Sequence, residues 1–184
     1  VAVLIVEVVY VIAGNLLIRS GVLESALNDR PEADRVSWAS GLTLLPGFVS
    51  FKDFTYRGQS MNGQMYVHLA QLDASISLSR LAFRRIHIRG LVGRDLDYRY
   101  RERIDYPCWS GEGEEPFPGV PEDFGDYPEI PGLANPPDSG PEDLKALDGG
   151  GKPWRIEVSR ARIRGAIRLA FNAIRLEGEG AIDG

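Results

Sequence analysis

Cysteine is nearly absent: Cys108 stands alone, so the chain can close no disulfide on itself and can build no cysteine-rich metal site. Such poverty suits a cytosol and a periplasm alike and does not choose between them. Histidine is almost as scarce. His68 and His87 each fall on the polar side of an alternating stretch, at no spacing that a zinc site or an activated nucleophile uses, and a solvent-facing or cross-strand role is expected of both. Basic excess is missing too. The 21 Lys and Arg against 26 Asp and Glu leave a net charge of −5, which argues against a nucleic-acid partner, since that would need a basic face to replace counterions.

Catalytic motifs are equally lacking. Gly58-Gln59-Ser60-Met61-Asn62-Gly63 misses a nucleophile elbow by one residue. Gly149-Gly150-Gly151-Lys152 is followed by Pro153 and by no helix, so its amides have no helix start at which to cradle a phosphate. Glu112, Glu114, Glu115, Asp123 and Asp126 lack EF-hand spacing, and a solvated acidic loop is the expected reading. Neither catalytic residues, nor a metal, nor a cofactor are expected, and the chain reads as a non-enzyme.

What is present begins with a greasy segment. From Val1 to Ile18 the residues are apolar or small except for Glu7, Tyr10 and Asn15, and half of them are β-branched, which is unusual for a buried soluble helix. A bilayer core of roughly 30 Å needs about 20 helical residues, so a membrane-spanning or membrane-buried helix is expected. A secretory signal is the rival, but no small-residue cleavage site with a polar mature start appears near Gly14. Within a membrane Glu7 costs about 2.5–3.5 kcal/mol on insertion scales, so it is expected to face a partner helix, water or a polar pocket, or to lie at the boundary or be protonated. Val22, Leu23, Ala26 and Leu27 continue at helical spacing as an amphipathic extension, ended by Asn28-Asp29-Arg30-Pro31.

The remainder of the chain reads as strands interrupted by one long loop. Two short ones between Val36 and Tyr56 are joined at Pro46-Gly47, and turns recur at Arg57-Gly58 and Met61-Asn62-Gly63. Met65, Val67 and Leu69 then alternate with Gln64, Tyr66 and His68, while Leu72, Ala74, Ile76 and Leu78 alternate with Asp73, Ser75, Ser77 and Ser79. The change of phase at Ala70-Gln71 predicts a bulge. Ser79 to Ala82 reads as a brief helical turn, and Arg85 to Arg103 as further strand. Ile156, Val158, Ile167, Leu169 and Phe171 supply the apolar positions of the last segment, in which arginines line the other side. Between lies a stretch that holds most of the prolines, many acidic residues and Lys145 as its only base, too polar to offset chain entropy by burial.

The organisation expected is thus an anchor and extension at 1–28, a sheet segment at 35–104, an acidic Pro/Gly-rich loop at 105–152 and a continuing sheet at 153–184. The fold class is mainly β: an N-terminal transmembrane helix, then an open, curved antiparallel sheet interrupted by a long irregular loop. No helix of useful length is expected to cover the apolar side. The start at Val1 rather than Met, and the alternating residues just before Gly184, read as a fragment of a longer protein or a processed one.

The anchor, Val36-Ser37-Trp38, the run Leu42 to Phe54, Ile76-Ser77-Leu78-Ser79-Arg80-Leu81 and Ile86-His87-Ile88-Arg89-Gly90-Leu91 together resemble the N-terminal region of bacterial AsmA-like proteins, relatives of the bridge-like lipid transfer proteins. Trp154 to Val158 and Arg175 to Gly180 are similar to that family's repeating strand pairs. The resemblance covers most of the chain outside the Pro-rich loop, which departs from the family pattern, and its motifs are degenerate alternations. It implies a single-pass inner-membrane anchor, a periplasmic body and a hydrophobic β groove conducting phospholipid toward the outer membrane. The groove residues expected from the alternation are Met65, Val67, Leu69, Leu72, Ala74, Ile76, Leu78, Ile156, Val158, Ile167, Leu169 and Phe171. Membrane lipids are the expected partner, with Glu7 or the acidic loop as a contact for another membrane protein. The other reading open from sequence is a membrane-anchored structural or adaptor β domain of an envelope complex, with sheets closed on a dry core.

Overall fold

A computed structural model describes residues 2–28, 33–60, 63–81, 83, 85–102, 127–133 and 155–184. The first apolar run forms helix α1, Ala2–Arg19, and stops where Gly21 takes a left-handed backbone (φ 74°), a C-terminal stop that glycine adopts without a Cβ penalty. The amphipathic extension forms a separate short helix, α2, Val22–Leu27. Among the described residues no helix is long and apolar enough to cross a membrane. The described run carries Glu7, Asn15 and Arg19. The single-pass transmembrane helix expected from hydropathy is therefore not found among the described residues.

Beyond α2 the chain forms mainly one sheet of eight strands: β1 Asp34–Ser37, β2 Ser40–Leu42, β3 Phe48–Gln59, β4 Gly63–Ile76, β5 Arg85–Glu102, β6 Arg155–Val158, β7 Ala161–Phe171 and β8 Ile174–Asp183. A four-residue helix, α3 Leu78–Leu81, sits in the connection between β4 and β5, where the sequence predicts a helical turn. The order is β1-β3-β4-β5-β7-β8, with β2 beside β3 and β6 beside β5, and the sheet does not close on itself. It is mixed, not antiparallel as expected. β5 runs parallel to both β6 and β7, while every other pair is antiparallel. Parallel neighbours need a crossover, and the chain between Glu102 and Arg155 supplies it.

Most of the 105–152 loop lies outside the described residues, including Glu112, Glu114, Glu115, Asp123 and Asp126. Its described piece, 127–133, crosses one face of the sheet. Arg57 Nη1 donates to the carbonyls of Gly132 (3.0 Å) and Pro131 (3.3 Å), Arg99 Nη1 to that of Glu129 (2.8 Å), and Arg101 Nη1 to that of Pro128 (3.3 Å). Tyr127 and Ile130 are buried, as is Arg101, whose Nε donates to Gln64 Oε1 at 2.7 Å. Arg57, Arg99 and Arg101 share the polar face, so this strap leaves the other face clear.

A line of irregularity crosses the sheet. Asp53 and Asp95 take left-handed backbone (φ 51° and 54°), Ala70 between them drops out of both ladders, and Gly165 (φ 96°) lies where β7 shifts register against β5. At this line β3, β4 and β5 change the phase of their alternation, so that Phe51 with Phe54, Leu69 with Leu72, and Gly93 with Leu96 fall on the same face, while the register shift lets β7 keep Ile163 and Ile167, four residues apart, on that face. The phase change expected at Ala70-Gln71 is one point on it, but not as the bulge expected there: register against β3 and β5 continues unshifted across Ala70, and the shift of β4 against β5 falls at Ser75/Ile76.

Candidate functional site

Register assigns the two faces. One transverse row reads Tyr56, Val67, Tyr98, Leu169 and Leu176; the next reads Phe54, Leu69, Leu96, Ile167 and Gly178; a third reads Phe51, Leu72, Gly93, Ile163 and Ile182. The interleaved rows are polar, for example Thr55, His68, Asp97, Arg168 and Glu177. The polar side carries ion pairs of its own: Arg99 pairs with Asp97 at 2.7 Å and lies over the Tyr66 ring, Arg162 pairs with Asp183, and His68 approaches Asp53 at 3.8 Å. His87 Nε2 lies 2.8 Å from Ser159 Oγ, a cross-strand contact. No group of metal-ligating side chains exists among the described residues.

Cover on the apolar face falls off across the sheet. Ile18 of α1 joins Phe51, Leu69, Leu72 and Leu96 in a buried cluster, and Leu23 of α2, Trp38 and Val67 pack against it. The helical start thus covers part of the apolar side, contrary to the expectation that no helix would. On β7, Ile163, Ile167 and Leu169 are only half-buried. Phe171 is 40% exposed, and on β8 Ile174, Leu176 and Ile182 are 63%, 58% and 42% exposed. Folding ordinarily hides such side chains, and a contiguous uncovered apolar patch marks a binding surface.

The residues singled out by alternation therefore divide. Leu69, Leu72 and Ala74 are buried within the protein, while Met65, Val67 and Ile76 are half-buried. Ile167, Leu169, Phe171 and the exposed Val158 lie on the open side. The side chains of Leu78 and Ile156 lie outside the described residues. Tyr98, Ile163, Ile174 and Leu176 carry the same period-two signal, and register puts them, with Ile182, on the same face as that set. Tyr98 and Phe171 rings meet at 5.1 Å on the rim of the open region, and burial pushes the Tyr98 and Tyr100 hydroxyls up from the usual tyrosine range. Their ionisation is thereby disfavoured, which suits an apolar contact surface with neutral polar edges.

Helix α1 is turned inside out relative to a water-facing helix. Tyr10, Gly14, Asn15 and Ile18 face the body: Tyr10 Oη accepts from Gly47 N (3.2 Å), and Asn15 bonds both backbone groups of Thr43, Nδ2 to its carbonyl at 2.7 Å and Oδ1 from its N–H at 3.0 Å. Glu7 is exposed and falls on that same stripe, one turn before Tyr10. The opposite stripe, Ile5, Val8, Val9, Ile12 and Leu16, is apolar throughout and 50–63% exposed.

No protein-family model, curated protein or solved structure matches the chain.

Proposed function

We propose that this chain is a membrane-attached, lipid-binding module in which the uncovered apolar face of the β5–β7–β8 half-sheet holds acyl chains for transfer. The observation that carries the reading is the loss of cover from Leu69 (4% exposed) to Leu176 (58%) across one continuous apolar face. Acyl chains gain about 0.8 kcal/mol for each methylene removed from water, without directional bonds, so a tail binds such a face and slides along it. A conduit of this kind uses no catalytic group. The outward apolar stripe of α1 supports attachment to a membrane through burial in lipid, without a full span of its own. The AsmA-like resemblance carries the finer assignment: an inner-membrane site, a body in the periplasm and phospholipid as the cargo, passed toward the outer membrane.

The test is to purify the full chain in mild detergent and identify co-purifying lipids by mass spectrometry, beside Leu176→Asp/Ile182→Asp. Both positions are exposed, so the double variant is expected to fold and to lose bound phospholipid that the parent retains. Background lipid on both proteins would refute the reading. Val67 and Leu69 are poorer choices, because they lie in or against the cluster under Ile18.

A further inference from the structure

The two ends of the sheet differ in chemistry. At the far end, the tight β7–β8 turn consists of Asn172 and Ala173, with Ser60 and Glu102 nearby. At the end where α1 lies, the described tips are apolar: Leu44 and Leu45 are 63% and 55% exposed, Phe48 is 51% exposed, and Phe83, beyond α3, is 78% exposed. Leu42, Leu44, Leu45, Phe48 and Val92 line a hollow of about 480 Å³ there. These are residues that folding ordinarily hides first, and Leu44, Leu45 and Phe83 sit on loops, which tolerate polar residues without strain.

Around the tips stands a collar of positive charge. Among the described residues of the strands and their connections beyond the Asp73–Val92–Arg162 row, Arg80, Arg85, Arg89, Arg155 and Arg160 are opposed by one carboxylate, that of Glu157, while the exposed Glu7 lies on the first turns of α1 at the same end. Glu157 lies 3.0 Å from Arg80 and 3.7 Å from Arg155, which leaves Arg85, Arg89 and Arg160 beyond its ion pairs. The chain as a whole is acidic, so this concentration of base at one end runs against its composition. The apolar stripe of α1 leads into the same end. From Ile18 beside Gly41, through Asn15 on Thr43, to Tyr10 on Gly47, the helix runs outward along the β2–β3 loop, and its first turns project past it.

From the apolar tips, the basic collar and the emerging apolar helix we infer that this end of the sheet docks on an anionic lipid surface. Leu44, Leu45, Phe48 and Phe83 enter the acyl boundary, and Arg85, Arg89 and Arg160 lie at the depth of the phosphates. Greasy tips ringed by base match a bilayer interface, where acyl chains lie beneath a layer of negative headgroups. The inference rests on the membrane-attached reading and adds an orientation to it. The strands stand on the membrane by the β3-start, β4-end and β5-start edge, so a lipid leaving the bilayer meets the apolar face at its membrane-proximal rim.

The experiment places an environment-sensitive fluorophore at Phe83→Cys, or at Ala173→Cys as the far-end control, each in a Cys108→Ser background. The full chain is mixed with phosphatidylcholine vesicles, with and without phosphatidylglycerol, containing brominated acyl chains. Flotation reports attachment and quenching reports depth. The expected result is flotation of both proteins with quenching at position 83 alone, strongest on the anionic vesicles, and about fivefold weaker binding for each of Arg85→Gln and Arg89→Gln. Flotation with equal or no quenching at the two positions would overturn the docking orientation and leave membrane attachment standing. Failure to float would overturn both. Co-purifying lipid, measured separately, reports on the groove alone.

Discussion

Gly165 shows most directly how a single position bends the sheet. Its φ of 96° lies where side chains are strained, and a Cβ there would collide with Asp95 Oδ1, the atom that accepts the Ala166 N–H at 2.9 Å. Gly165→Ala is therefore expected to cost about 1–2 kcal/mol or more from the backbone alone. Chemical denaturation would show a lowered midpoint at unchanged slope. An undiminished midpoint would mean that β7 takes up the register shift elsewhere. Tyr56 gives a prediction in pH. Its hydroxyl donates to Asp34 Oδ1 at 2.5 Å, and burial, then that hydrogen bond and the Asp34 charge, push its pKa well above the usual tyrosine range. A raised folded-state pKa means that its contribution is fully present below the unfolded value near 10 and is lost as pH rises toward the folded one. Melting temperature is expected to fall above pH 10 and to fall less steeply in Tyr56→Phe. Parallel alkaline curves for the two proteins would remove Tyr56 from the explanation.

Elements differ in how plainly the sequence declares them. Period-two alternation gives away β4, β5, β7 and β8, because one face of each strand is apolar, and even the slip at Ala70-Gln71 is visible as a broken phase. Alternation carries no direction, however, so the parallel pairing of β5 with β7 is invisible to it; only the length of the intervening loop makes a crossover possible. The strap at 127–133 hides in a stretch rich in proline and acid, with Tyr127, Ile130 and Leu133 as scattered apolar residues that follow no period. Its backbone carbonyls meet the arginines. Likewise hydropathy sees α1 as uniformly greasy and assigns Asn15 a cost, whereas Asn15 satisfies both backbone groups of Thr43, which is 3% exposed. Asn15→Leu makes the helix more apolar and leaves that N–H and carbonyl without their partner, at about 1–3 kcal/mol each if unsatisfied. The variant is expected to melt lower than the parent despite the greasier helix. An equal or higher melting temperature would mean that the Asn15–Thr43 clamp contributes nothing to holding α1 on the body.

For the whole molecule, the division of labour between the faces sets how stability responds to lipid. The polar face is closed by its own ion pairs and by the 127–133 strap, and the β3–β4 half of the apolar face is closed by Ile18 and its neighbours. Apolar area on β7 and β8 stays uncovered. A ligand that binds only the folded state stabilises it by RT ln(1 + [L]/Kd), about 2.7 kcal/mol at a hundred times Kd. A short-chain phospholipid below its micelle concentration should therefore raise the melting temperature in a concentration-dependent way. Leu176→Asp/Ile182→Asp removes exposed side chains, so its lipid-free melting temperature is expected to stay close to the parent's while its response to lipid disappears. A variant that melts much lower without lipid would mean that β8 is held by packing its apolar side chains, and that its exposed face is structural. A parent indifferent to lipid, with the variant matching it throughout, would leave the open half of the sheet without the ligand proposed for it.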